Sequence, residues 1–249
     1  MSKPLASLAV TPSPVKSYAL PSNLLAGSPE ARMDAGYYNP EFLAAVSRLR
    51  NSRMRTKRLA DVATKVFIPP RFKRVYVEPE YGVPFLQGSH IVHFQPADVK
   101  YLSRTYHKLE KWIIRERWIL VTCSGTIGRT TICPEEWNKW AASQHILRII
   151  PDEKKCPSGY LCAFLASPLG QVQLTANIYG AVVDELTEEQ AESIVVPIPR
   201  TEEDKRMMRS VDKAMKKAVK MKSLAVSSAG KSVGELAAKF EEALSEERP

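Results

Sequence analysis

Residues 120–132 read LVTCSGTIGRTTI, an apolar β-branched run that breaks at Ser124-Gly125-Thr126-Ile127-Gly128 and resumes after Arg129. Such a break admits three readings. Glycines and hydroxyls can cradle a phosphate, the run can carry a nucleophilic Cys123, or the five residues can form a turn between two strands. A phosphate loop would need a lysine and a strand-to-helix junction, and neither follows GTIG. A triad could be written from Cys123, His145 and Asp184, but Cys123 sits in an apolar run where a small buried thiol is the usual occupant.

Around that stretch, residues 75–150 keep a strand vocabulary. RVYVEPEYGVPFLQGSHIV, RWILVTCSG, GRTTICP and SQHILRIIP are short runs bounded by Gly, Pro and Ser. Upstream, DAGYYNPEFLAAVSRLR predicts a helix with Asn39 as N-cap and Pro40 at its first position, burying Phe42, Val46 and Leu49. A shorter helix is expected in RLADVATKV. Downstream, SGYLCAFLASPLG predicts a helix ending at Pro168 and Gly170. In ELTEEQAESIVVPIP, Thr187 and Gln190 form a capping box ahead of a short strand. The C-terminal fifth carries two amphipathic stripes, Met208, Val211, Met215, Val219 and then Val233, Leu236, Phe240, Leu244, parted by SSAGKS. They read as a hairpin or as one long broken arm. Residues 1–33, rich in Pro, Ser and Ala, read as an extended or poorly ordered arm.

The chain has 249 residues, with 36 Lys+Arg against 27 Asp+Glu, a formal net charge of +9 and a pI near 9.4. That balance points to a polyanionic partner, although many basic proteins never touch nucleic acid. Basic residues cluster at 48–58, at Arg71, Lys73 and Arg74, and along 205–222. The four cysteines show no CxxC spacing, and nothing resembles a signal peptide or a membrane span, so a cytoplasmic protein with reduced thiols is expected.

Enzymatic and metal motifs are missing. His90 and His93 would point to opposite faces of a strand, and Cys133 and His145 lack partners at zinc spacing. AVSSAGKS ends like a Walker A motif, but Ala225 takes the place of its first glycine and no strand precedes it. Neither a methyltransferase catalytic loop nor the acidic-plus-lysine pattern of a nuclease is present. No catalytic residue, metal or cofactor is therefore assigned, and recognition remains: arginine suits guanine, and asparagine or glutamine suits adenine.

At this point the pieces DAGYYNPEF, GVPFLQGSHI, ILVTCSGTIGRT, SQHILRIIP, GYLCAFLASPLGQVQL and GAVVDELTEEQAESIVVPIP, in that order, resemble the specificity subunit of type I restriction–modification systems. The likeness runs from residue 34 to about 222 and is closest to one target-recognition domain with one helical region behind it, a half-length form. Arg117-Trp118 stand where the family usually has Gly-Asp, and Asp204 where a glutamine is common. The resemblance implies an α+β fold, with a mixed β-sheet and flanking helices over 34–200 and a helical region for spacing and assembly over 201–249. It implies a non-catalytic subunit of a phage-defence system that reads a half-site in double-stranded DNA. It would dock a methyltransferase subunit, the one that binds S-adenosylmethionine, and in some assemblies a restriction subunit. A homodimer would restore two half-sites around a spacer. SGTIG then reads as a turn closing a core strand. Arg71, Lys73, Arg74, Arg129, Ser124 and Thr126 are expected on the DNA side, and Met208, Val211, Met215, Val219, Leu236 and Phe240 on the assembly surface. The alternative is a protein-interaction component of a defence complex that reads no sequence.

Overall fold

The computed structural model describes residues 19, 38–93, 98–176 and 185–245. The N-terminal arm, residue 19 apart, and Asp184 therefore lie outside the described residues. Helix α1 (Pro40–Arg50) starts as its sequence predicts, with the Asn39 side chain accepting from the Glu41 N–H at 3.0 Å. Ala45 and Leu49 are its buried positions, while Phe42 and Val46 are half-buried.

Three sheets follow. The first pairs β1 (Arg55–Arg58) with β10 (Val195–Ile198), antiparallel. The second has the order β2–β9–β6–β7, from Ala63–Phe67, Ile146–Pro151, Ile119–Thr122 and Thr130–Ile132, all antiparallel. The third has the order β3–β5–β4–β8, from Tyr76–Val77, Lys100–Ser103, Gly82–Leu86 and Ala141–Ala142. It is mixed, because β4 and β8 run parallel. Every residue of β6 is buried, as a continuous apolar run in the middle of a covered sheet should be.

Helix α4 (Ser158–Ala166) packs on β7 of the second sheet, α5 (Pro168–Ala176) packs on α4 and α1, and α6 (Glu188–Glu192) precedes β10. The expected capping box is formed: Thr187 accepts from the Gln190 N–H at 3.2 Å and Gln190 accepts from the Thr187 N–H at 2.9 Å. A second, smaller core gathers Phe85, Leu102, Trp112, Ile113 and Ala141, with Phe72 and Tyr106 packed on it.

Four readings need correction. RLADVATKV holds only one helical turn, α2 (Leu59–Val62), because the β-branched residues after it pair with β9 instead. GSHIVH forms α3 (Gly88–His93), so His90 and His93 share a helix, and the His90 ring accepts from the Gln87 N–H at 3.2 Å. The helix in SGYLCAFLASPLG stops at Ala166, just before Pro168, but the chain does not leave helix there: Pro168 opens α5 as its first residue, where its missing N–H costs nothing, and α5 runs past Gly170. The two C-terminal stripes form one uninterrupted helix, α7 (Glu202–Ser245), about 66 Å long at 1.5 Å per residue. A glycine such as Gly230 weakens a helix by about 1 kcal/mol, too little to break a long one. Among the described residues no helix is long and apolar enough to cross a membrane.

Helix α7 starts on a capping box. The Asp204 side chain accepts from the Thr201 N–H at 3.2 Å and the Arg200 N–H at 3.3 Å, while Thr201 Oγ1 accepts from the Asp204 N–H at 3.1 Å. Arg53 reaches the same carboxylate at 3.0 Å. The acid at position 204 thus caps the helix and ties it to the α1–β1 connection. The Thr201 N–H above all, helped by Arg200 and Arg53, holds the Asp204 carboxyl below its ordinary 3.8 despite burial. A value lowered by folding means that the contribution is complete above the ordinary value and is lost as pH falls through the lowered one. Asp204→Asn is expected to lower the thermal midpoint at pH 7. Its deficit should shrink as pH drops below about 4, because the wild type then loses the same charge; midpoints measured against pH check this.

Candidate nucleic-acid interface

The turn after β6 is built from its own side chains. The Thr122 hydroxyl donates to the Thr126 carbonyl and accepts from the Arg129 N–H at 3.0 Å. The Gly128 N–H closes onto the Thr122 carbonyl at 2.9 Å. Gly125 and Gly128 take φ of 71° and 88°, a left-handed region that costs most residues about 1 kcal/mol or more. The amide of Gln171, from α5, clamps the Gly128 carbonyl at 2.8 Å. SGTIG is therefore a turn closing a core strand, with Gly125, Thr126 and Arg129 exposed on it.

Before the turn, the chain at Cys123-Ser124 runs between two other segments. The Cys123 N–H donates to the His145 carbonyl at 3.0 Å, and the Leu186 N–H donates to the Cys123 carbonyl at 2.9 Å. Ser124 also bridges Glu185. Burial pushes the Cys123 thiol up to about 11, and it donates to the Gln144 carbonyl at 3.6 Å. A thiol so placed is protonated at neutral pH and is not a poised nucleophile.

Phe72 explains how the basic segment is presented. Its ring lies 4.3 Å from Trp112 and 5.7 Å from Tyr106, centroid to centroid, and the Trp112 indole N–H holds the Pro70 carbonyl at 3.0 Å. With Phe72 anchored, its neighbours Arg71 and Lys73 are exposed, and Arg74 lies half-buried over the Phe85 ring at 5.2 Å. Arg74 donates to Gln144 Oε1 at 3.3 Å, Gln144 Nε2 meets His145 Nε2 at 3.0 Å, and His145 Nδ1 meets the Ser124 hydroxyl at 2.6 Å. Arg71 faces Glu185 at 3.8 Å across a cavity of about 80 Å³ that Cys123, Gln144 and His145 also line.

Of the expected DNA-side residues, the structure thus gathers Arg71, Arg74 and Ser124 around the Gln144–His145 loop. Lys73 is exposed beside them, while Thr126 and Arg129 lie on the turn itself. The sequence pattern singles out neither Gln144 nor Glu185, and offers His145 only as a metal ligand or a triad base. The one signal for Gln144 and His145 is the polar Ser-Gln-His triplet standing directly before the apolar β9. Beneath that triplet lies Arg148, wholly buried inside β9. Its guanidinium donates to the carbonyls of Ser143 at 2.9 Å, Ala142 at 2.6 Å, and Ile146. Burial pulls it down to about 9, which leaves it charged at pH 7.

The assembly residues divide. Met208, Val211 and Met215 pack partly buried on the chain's own core, and Val219 is part of that core. Val233 and Leu236 are 66% and 56% exposed on the far half of α7. The Phe240 side chain lies outside the described residues.

The model of the family described as type I restriction modification DNA specificity domain matches residues 51–224. The chain belongs to that family. No curated protein matches it. Among solved structures it is similar to a chain of a type I R-M system, described for its complex assembly and conformational transition, with a TM-score of 0.49 and 15% identity over 80% of this chain and 50% of that one. It is also similar to the HsdS subunit from Thermoanaerobacter tengcongensis, with a TM-score of 0.47 and 16% identity over 76% and 45%. The type I S subunit from M. genitalium gives 0.43 and 12% over 63% and 38%. The chain spans about half the length, or less, of these solved chains.

Proposed function

We propose that this chain is the non-catalytic DNA-recognition subunit of a type I restriction–modification system. One observation carries the reading. In a member of a DNA specificity family, three segments far apart in sequence bring Arg71, Arg74, Ser124, Gln144 and His145 to one polar edge, with Glu185 facing Arg71. Arginine and lysine there would position the duplex through its phosphates, and the amide and hydroxyl groups would meet base edges. The domain would read one half-site. Helix α7 would dock the methyltransferase subunit that holds S-adenosylmethionine, and its exposed stripe would pair with a second copy. A cytoplasmic setting follows from that role.

Salt dependence tests the interface. Each phosphate contact removed should reduce the slope of log K against log salt by about one unit and weaken binding on every sequence alike. Alanine variants of Arg71, Lys73, Arg74 and Arg129, titrated on duplex DNA at several salt concentrations, are expected to show that loss at two or more positions. Four unchanged affinities and slopes would put the DNA on another face.

A further inference from the structure

We infer that Gln144 is a specificity-determining side chain and that the base it reads is adenine; the inference rests on the DNA-reading role proposed above. The loop that carries it is anchored at nearly every peptide. Arg148 holds the carbonyls of Ala142, Ser143 and Ile146 from beneath. The Cys123 thiol and N–H take the carbonyls of Gln144 and His145 from the side. The Ser143 N–H donates to the Leu86 carbonyl at 2.9 Å, and the His145 N–H to the Ser143 hydroxyl at 3.3 Å. A wholly buried guanidinium that makes no ion pair among the described residues is an expensive way to hold a loop. Its backbone partners all belong to the segment flanking Gln144, so Arg148 acts as a positioning residue for that side chain.

The orientation of the Gln144 amide follows from its neighbours. Arg74 can only donate, so the oxygen of the amide must face it. The nitrogen then faces His145 Nε2, which must accept, and the ring proton sits on Nδ1, where it is donated to the Ser124 hydroxyl. An amide oxygen has two acceptor positions and an amide nitrogen two hydrogens. Arg74 and His145 use one of each. Among the described residues, one acceptor and one donor remain on a half-exposed side chain whose rotamer is already fixed, so binding costs it little further order. That donor–acceptor pair is what the N6 and N7 edge of adenine takes in the major groove. Guanine offers two acceptors there and cytosine only a donor, so neither satisfies both.

Selection from a random duplex library, run in parallel with the full wild-type chain, Gln144→Ala and Gln144→Glu, tests this. The wild type is expected to enrich a motif containing one adenine whose preference, roughly 5- to 150-fold, disappears in Gln144→Ala while the other positions persist. Gln144→Glu, which can only accept, should move that position towards cytosine. Retention of every adenine by Gln144→Ala, a motif without adenine, or a uniform loss of binding on all sequences would overturn the inference and leave DNA reading standing. A wild-type chain that enriches nothing overturns the DNA-reading role, and the inference with it.

Discussion

Val219→Glu is expected to destabilise the folded chain by about 3 kcal/mol, whereas Val233→Glu with Leu236→Glu should leave the monomer folded and abolish self-association. All three residues belong to α7, and only their surroundings differ. Val219 is 9% exposed and sits in the main core, so a carboxylate there replaces apolar packing and gives up most of its hydration. For a chain of this size the loss corresponds to a midpoint lower by roughly 6–12 °C. Val233 and Leu236 contact solvent in the single chain. Burying each against a second copy would contribute about 1.5–3 kcal/mol, so removing both should weaken a dimer by roughly a hundredfold or more. Sedimentation beside thermal melts reads both halves. A double variant that stays dimeric, or that melts well below the wild type at a concentration where both are monomeric, would show that the exposed stripe is not a dedicated contact.

Gly159→Val should be nearly as damaging, because the first turn of α4 lies directly against α7. A Cβ on Gly159 would stand 2.4 Å from the Asp212 carbonyl oxygen and 2.6 Å from its carboxylate. The glycine also donates its N–H to that carboxylate at 2.8 Å, and Lys216 braces the same group at 3.0 Å. Asp212 therefore supplies from α7 a cap that α4 lacks locally, since Pro157 provides no side-chain bond. A valine has to push the two helices apart, at a cost of about 1–3 kcal/mol from overpacking and more from the lost cap. The midpoint should fall by roughly 5–10 °C. Gly230→Ala is the internal contrast. Nothing lies within 4 Å of a Cβ there, so it should stabilise the same helix by about 0.5–1 kcal/mol.

What could be read from the sequence was local. Asn39 before Pro40, the Thr187–Gln190 box and the buried run of β6 each act through neighbours within a few residues, so their chemistry is visible in one window. Helix α7 was legible as amphipathic but not as continuous, because helix length depends on packing along its first half rather than on one glycine. The destination of its first stripe was equally hidden: whether Val211 and Met215 meet a partner or their own core is decided by where α4 lies. The same holds for the interface. Ser124 and His145 stand 21 residues apart and meet only because β6 and β9 pair. Glu185 arrives from a third segment through its bridge to Ser124. A buried arginine in ILRII reads as an oddity in the sequence, and its purpose shows only once its carbonyl partners surround it.

The central claim is that this chain reads DNA sequence. Its most direct test is the ratio of dissociation constants for a duplex recovered by selection and a scrambled duplex of equal length, measured at one salt concentration with the methyltransferase subunit present. A sequence-reading subunit should give a ratio of roughly 10³ or more. A ratio near one, from a chain that still binds the methyltransferase, would contradict the account and leave a component that assembles without reading.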